Sequence, residues 1–185
     1  MGTRISTIIA ATAALCLAST TQGDEPQPGR ISAPVQGEGA LAGEGVFSVR
    51  TYGAVGDGAH LDTAAIQAAI DACAAARGGI VFVPPGRYLS GTIFLKSNVT
   101  LHLAAAATIL GSTNLAHYAT GIQPCGFVNH PHLDKCLVYA DKAENVAITG
   151  PGTIDGQGRA FPLVGPDGKA GQRPMLLRLV SSRTS

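Results

Sequence analysis

Between Gly79 and Gly111 the chain breaks into very short apolar runs, each followed by a turn. Ile80–Val83 is β-branched and aromatic, and Pro84-Pro85-Gly86 stops it. Tyr88-Leu89 and Thr92–Leu95 follow, separated by Ser90-Gly91. Ser97-Asn98 makes the next corner, and Val99–Leu103 then alternates apolar and polar residues. Strands this short, punctuated by Gly, Pro, Asn or Ser, predict an all-β fold with many corners.

The pattern recurs. Asn98-Val99-Thr100-Leu101 is echoed by Asn145-Val146-Ala147-Ile148, and Thr108-Ile109-Leu110-Gly111 by Thr153-Ile154-Asp155-Gly156. The offsets, about 45–47 residues, read as two turns of a solenoid whose coil takes roughly 20–25 residues. Stacked coils pair strand on strand in parallel and bury a continuous interior. An antiparallel sandwich with fortuitous similarity is the alternative. In the solenoid reading the core is Ile80, Phe82, Ile93, Leu101, Leu103, Ile109, Val146, Ile148 and Ile154.

Upstream of the strands, Ile66, Ala69, Ile70 and Cys73 fall at i, i+3, i+4 and i+7, predicting a helix near Asp62–Ala76 with one apolar stripe. Asp62 or Thr63 is placed to cap it, and Gly78-Gly79 to end it. Such a helix suits a cap over the first coil, whose interior would otherwise be open. Asp57 and Asp62 are better explained by a tight turn and a helix start than by acid/base chemistry. Gly53, Gly56 and Gly58 do not have dinucleotide-fingerprint spacing.

The N-terminus reads as a secretory signal over residues 1–23. Arg4 precedes the apolar run Ile8 to Ala18, which is too short to span a bilayer. Residues 24–45 are rich in Pro, Gly and acidic residues and read as a flexible linker. Residues 46–185 then form one domain. A secreted or periplasmic location follows, with no membrane attachment after signal cleavage. With 13 Lys+Arg against 12 Asp+Glu, and no basic block, nucleic acid is excluded as a partner. The absence of Trp argues against an aromatic carbohydrate-binding platform.

Val49 through Gly58, with Asp62-Thr63 and Ala65 through Ile70, resembles the N-terminal signature of the pectate-lyase-like β-helix superfamily. Val83-Pro84-Pro85-Gly86, Ser90 through Val99, and Asn145 through Gly158 are similar, more narrowly, to glycoside hydrolase family 28, the polygalacturonases. Where family members often place Trp after the Asp-Gly-Gln-Gly turn, this chain has Arg159-Ala160-Phe161-Pro162. The resemblance implies a right-handed parallel β-helix that acts on galacturonan by inverting hydrolysis of α-1,4 bonds. That chemistry needs one general acid and a water-activating carboxylate on the opposite face.

The family's catalytic segments are Asn-Thr-Asp, Asp-Asp, Gly-His-Gly and Arg-Ile-Lys, and none occurs in this sequence. The chain is therefore expected to be the N-terminal portion of such an enzyme, truncated at its C-terminus and inactive as given. A non-catalytic saccharide-binding or adhesin-like β-helix, and a pectin-active lyase, are the alternatives. Superfamily lyases generally use Ca²⁺ held by acidic clusters, and no such cluster is present in the sequence, so no cofactor is expected.

Asp155 is the one candidate acid, though an Asp in Thr-Ile-Asp-Gly-Gln-Gly is ordinarily explained by holding its own corner. Cys125, His130, His132 and Cys136 lack the usual metal-ligand spacing. A Cys125–Cys136 disulfide, two free thiols and a metal site are the three readings, and the first is preferred in an exported chain. Cys73 reads as a buried lone thiol and His102 as outward-facing; His60 and His117 carry no partner recognisable in the sequence. The stretch Gly111 to Asp134 is long for a solenoid corner and would shape a groove. A polyanionic substrate such as polygalacturonate would call on Lys96, Arg159, Lys169 or Arg173. At full length such a protein is expected to be a monomer.

Overall fold

The computed structural model describes residues 45–122, 134–162 and 172–180, all within a compact unit spanning Gly37–Ser185. The first coil holds β1 (Val46–Ser48), β2 (Asp57–Leu61) and the helix α1 (Thr63–Ala75). The second holds β3 (Gly79–Val83), β4 (Gly86–Ser90) and β5 (Ile93–Phe94). β6 (Val99–Leu103), β7 (Ala107–Gly111) and β8 (Cys136–Asp141) make the third, and β9 (Ala147–Thr149), β10 (Thr153–Asp155) and β11 (Met175–Val180) the fourth. Three parallel sheets run along the stack, β1-β3-β6-β9, β2-β4-β7-β10 and β5-β8-β11. The fold is a right-handed parallel β-helix.

The register builds the interior. Val81 pairs with Leu101 and Leu101 with Ile148. Tyr88 pairs with Ile109 and Ile109 with Ile154. Ile93 pairs with Val138 and Val138 with Leu177. Val81, Leu101, Tyr88, Ile109, Ile93 and Val138 are fully buried in these columns, whereas Leu177, at the end of the third, is 43% exposed. Ile148 and Ile154, in the fourth coil, are half-buried and pack against the same core.

Two expectations are corrected here. The offset of about 47 residues between the Asn98 and Asn145 segments is one coil and not two, because Leu101 and Ile148 are direct ladder partners. The short repeat is the one from β3 to β6, and the third coil is enlarged by the stretch between β7 and β8. Ile80 and Phe82 are not core. Ile80 is 40% exposed and Phe82 is half-buried, while Val81 and Val83 face inward with no exposure. Since side chains alternate along a strand, choosing the wrong parity moves every residue to the other face. Phe82 instead stacks on His102, ring centroids 6.0 Å apart, on the outer surface. His102 faces outward as expected, with Nδ1 3.0 Å from the Thr149 hydroxyl.

α1 buries Ile66, Ala69, Ile70 and Cys73, the stripe expected from their spacing, against β1, β3 and β5. Its start differs from the expected cap. Asp62 stands at the N-cap, but its carboxylate accepts from the N–H groups of Val55 (2.8 Å) and Gly56 (3.0 Å), fastening the preceding turn. Thr63 accepts from Gly91 N–H at 2.8 Å in the next coil. At the other end Arg77 takes the left-handed position (φ 71°), with Arg77 N–H donating to Ala74 and Gly78 N–H to Cys73. Gly78 and Gly79 follow because a Cβ there would run into the backbone carbonyls of Asn98 and Gly45. Asp57 holds its own turn, accepting from Ala59 and His60 N–H, bonds that hold its carboxyl below the usual range. Among the described residues no helix is long and apolar enough to cross a membrane.

The register generates a graded prediction. Leu101→Ala should cost about 2–5 kcal/mol, the range for a fully enclosed Leu. Ile148→Ala should cost less, because the fourth coil leaves it half-buried, and outward Thr100→Ala least of all. Urea titration of the three variants measures this, and equal losses at Thr100 and Leu101 would sink the register.

Candidate functional site

The corner after β10 makes a hollow of about 580 Å³, lined by Asp155, Gln157, Gly158, Arg159 and Ala160. Three contacts fix it. Asp155 Oδ1 accepts from Gln157 N–H at 2.8 Å, closing the turn through a side chain. Gln157 sits in the left-handed region (φ 48°) and its Nε2 donates to the Gly111 carbonyl of the previous coil at 2.6 Å. Phe161 is buried just beyond. The segment between these anchors presents Arg159 to solvent on a one-turn 3-10 helix, Gly158–Ala160. Arg173, also exposed, lies over Gly158: a Cβ there would sit 3.9 Å from the guanidinium carbon.

Of the four basic candidates, Arg159 lines the hollow together with Asp155, and Arg173 lies beside it at Gly158. Lys96 is elsewhere: it pairs with Asp71 of α1 at 2.9 Å, both about half-exposed. Asp71 is lowered first by the Gln67 amide and then by Lys96. Lys169 lies outside the described residues. Gln157 is the site residue that sequence reasoning missed as a group in its own right, although it is the only long polar side chain in the Asp-Gly-Gln-Gly turn.

Cys136 is a free thiol with no exposure, donating to the Val138 carbonyl at 2.9 Å. Cys136 is the first residue of β8 and faces a small apolar cluster with Ile122 and Tyr139; its expected disulfide partner, Cys125, lies outside the described residues. His130 and His132 also lie outside the described residues. Cys73 is a buried free thiol, as expected. The described start of the long excursion is held down. Ser112 Oγ lies 2.7 Å from His117 Nδ1, Tyr118 OH donates to Ser112 O at 2.7 Å, and Ala119 N–H donates to Thr92 Oγ1. His117 therefore has a partner that the sequence did not reveal, and Asn114 caps the turn that carries it. Among the described residues no group of three or more His, Cys, Asp or Glu could hold a metal ion.

The profile of a family described as rhamnogalacturonase A/epimerase, pectate lyase-like, matches residues 46–152, more than half the chain. The chain belongs to this family. Members and neighbours carry the resemblance to polygalacturonases into named proteins. The exo-poly-α-D-galacturonosidase of Dickeya chrysanthemi is 40% identical over 120 residues, 61% of this chain and 20% of that protein. A plasmin and fibronectin-binding protein A of Streptococcus pneumoniae is 42% identical over 114 residues, 60% of this chain and 15% of that protein. The family 28 exopolygalacturonase of Yersinia enterocolitica superposes with a TM-score of 0.60 at 27% identity, over 74% of this chain and 32% of that one. The chain thus spans a fifth or less of the length of these two relatives, and the hollow at Asp155–Ala160 lies just beyond the stretch matched by the family profile.

Burial of this family member's thiols and phenols generates a pH prediction. Burial pushes Cys136 up to about 11 and Tyr118 up to about 12. Both folded values lie above the unfolded ones, so the neutral forms contribute stability that is fully present below about pH 9. That contribution is lost as pH rises through 11 and 12. Urea midpoints should fall steadily above pH 9, and Cys136→Ala should flatten the first part of the decline. A midpoint unchanged from pH 8 to 11 would contradict this.

Proposed function

We propose that this chain is the N-terminal portion of an exported, pectin-degrading glycoside hydrolase of the polygalacturonase type, with galacturonan as its saccharide. Residues 1–23 serve as the signal and residues 24–45 as a linker, giving a secreted or periplasmic protein. The observation that carries the reading is the 40% identity to the Dickeya exo-poly-α-D-galacturonosidase, which coincides with a shared fold with a family 28 exopolygalacturonase. The hollow beyond β10 adds chemical support, since two exposed guanidinium groups flank it and the substrate is a polyanion.

Binding and cleavage separate at this point. Inverting hydrolysis requires two carboxyl groups facing each other across the scissile bond, with room for water between one of them and the sugar. Among the described residues the hollow offers one carboxylate, Asp155, and one of its oxygens is already engaged in holding the corner. A second reading therefore has specific support: a β-helix that binds an acidic saccharide without cutting it. The likeness to a pneumococcal protein named for binding other macromolecules is in keeping with that reading.

The test is reducing-end release from polygalacturonate by the purified 185-residue chain. The expected result is saccharide binding without release of reducing ends. Turnover that disappears in Asp155→Asn would overturn this and make Asp155 a catalytic residue.

A further inference from the structure

We infer that Arg159 and Arg173 form a carboxylate clamp, seating one uronate unit of an acidic saccharide in the hollow lined by Asp155 and Gln157. The inference rests on the saccharide reading above only for the identity of the sugar; the clamp itself rests on local geometry and charge.

The corner is rigid where a binding site needs it to be. Gln157 is tied to Asp155 through its backbone and to Gly111 of the neighbouring coil through its side chain. Phe161, two residues after Arg159, is buried. Arg159 therefore leaves a backbone held on both sides, and the ordering left to binding is that of the side chains. Arg173 reaches the same place from the segment leading into β11, its guanidinium over the bare Cα of Gly158. A larger side chain at 158 would fill the space beneath it.

The charges are unspent. Among the described residues the ion pairs are Lys96–Asp71 and Lys135–Asp134, and neither involves Arg159 or Arg173. Two guanidinium groups at one hollow repel each other and are neutralised best by a planar anion that both forks can grip. A carboxylate has that shape. Asp155 uses Oδ1 for the corner, which leaves Oδ2 to accept from a hydroxyl of the same sugar. One carboxylate acceptor beside two cations selects a ligand that carries both an acid and hydroxyl groups. A neutral sugar leaves both cations unanswered, and a methyl ester removes the charge they recognise.

Calorimetric titration of the full chain with three probes tests this: trigalacturonate, its full methyl ester, and trimannuronate. Arg159→Gln and Arg173→Gln should each weaken binding of the free acid about tenfold, the effect of losing one charged hydrogen-bonding partner. The ester should bind the wild type no better than the double variant binds the acid. Gly158→Leu should block binding with both charges still present. Circular dichroism and thermal midpoints of the variants should match the wild type, as both arginines are exposed. Trimannuronate binding that needs both arginines, with no binding of trigalacturonate, would uphold the clamp and refute the galacturonan reading. Equal affinity for acid and ester, unchanged binding in both Gln variants, or no binding of either uronate would overturn the clamp.

Discussion

The in-register parallel ladder is the constraint on which the rest of the structure depends. Each inward residue sits directly over the inward residue of the next coil, as in Tyr88–Ile109–Ile154. Backbone hydrogen bonding and apolar burial are therefore satisfied by the same register, and neither tolerates a slip of one residue. The left-handed corners at Asn98 and Asn145 follow the same rule: the Asn145 amide donates to the Asn98 side chain at 3.0 Å, so even exposed corners are stacked. The helix closes the first coil because the ladder would otherwise start on an open interior.

Because the ladder constrains only strands and tight corners, length can be added where a corner faces solvent. Between β4 and β5 the chain turns within Gly91-Thr92, and Thr92 is buried with its hydroxyl on the Cys136 carbonyl. The equivalent corner of the third coil runs from Ser112 to Lys135, and that of the fourth from Gly156 to Pro174. The strands before and after these longer connections stay paired. The hollow with Asp155, Arg159 and Arg173 forms at the connection of the fourth coil. The scaffold supplies position, and the corner supplies chemistry.

This division explains what was legible in the sequence. The amphipathic helix was readable because Ile66, Ala69, Ile70 and Cys73 mark one face with a period no strand shares. The alternation in Val99–Leu103 fixed its own phase through Thr100 and His102. Gly79–Val83 has no polar residue to mark the outer face, and its phase is set by pairing with β6 across the coil, which local pattern does not contain. The coil length was misread for a related reason: the long corner of the third coil doubles the spacing between ladder partners, and only pairing distinguishes one enlarged turn from two ordinary ones. At the site, Arg159 and Arg173 were visible as cations, but their meeting at Gly158 depends on the return of the chain into β11.

Cys136 shows how the same ladder decides chemistry that composition leaves open. In sequence it stands eleven residues from Cys125, a spacing compatible with a short disulfide loop. In the fold it falls on the first residue of β8, paired with Met175, with Tyr139 and Ile122 packed beside it. Within that cluster the thiol donates to the Val138 carbonyl at 2.9 Å. Burial also pushes the thiol up to about 11, so it stays protonated at neutral pH. Stacking of its strand thus makes Cys136 a small core side chain, a placement that spacing alone does not contain.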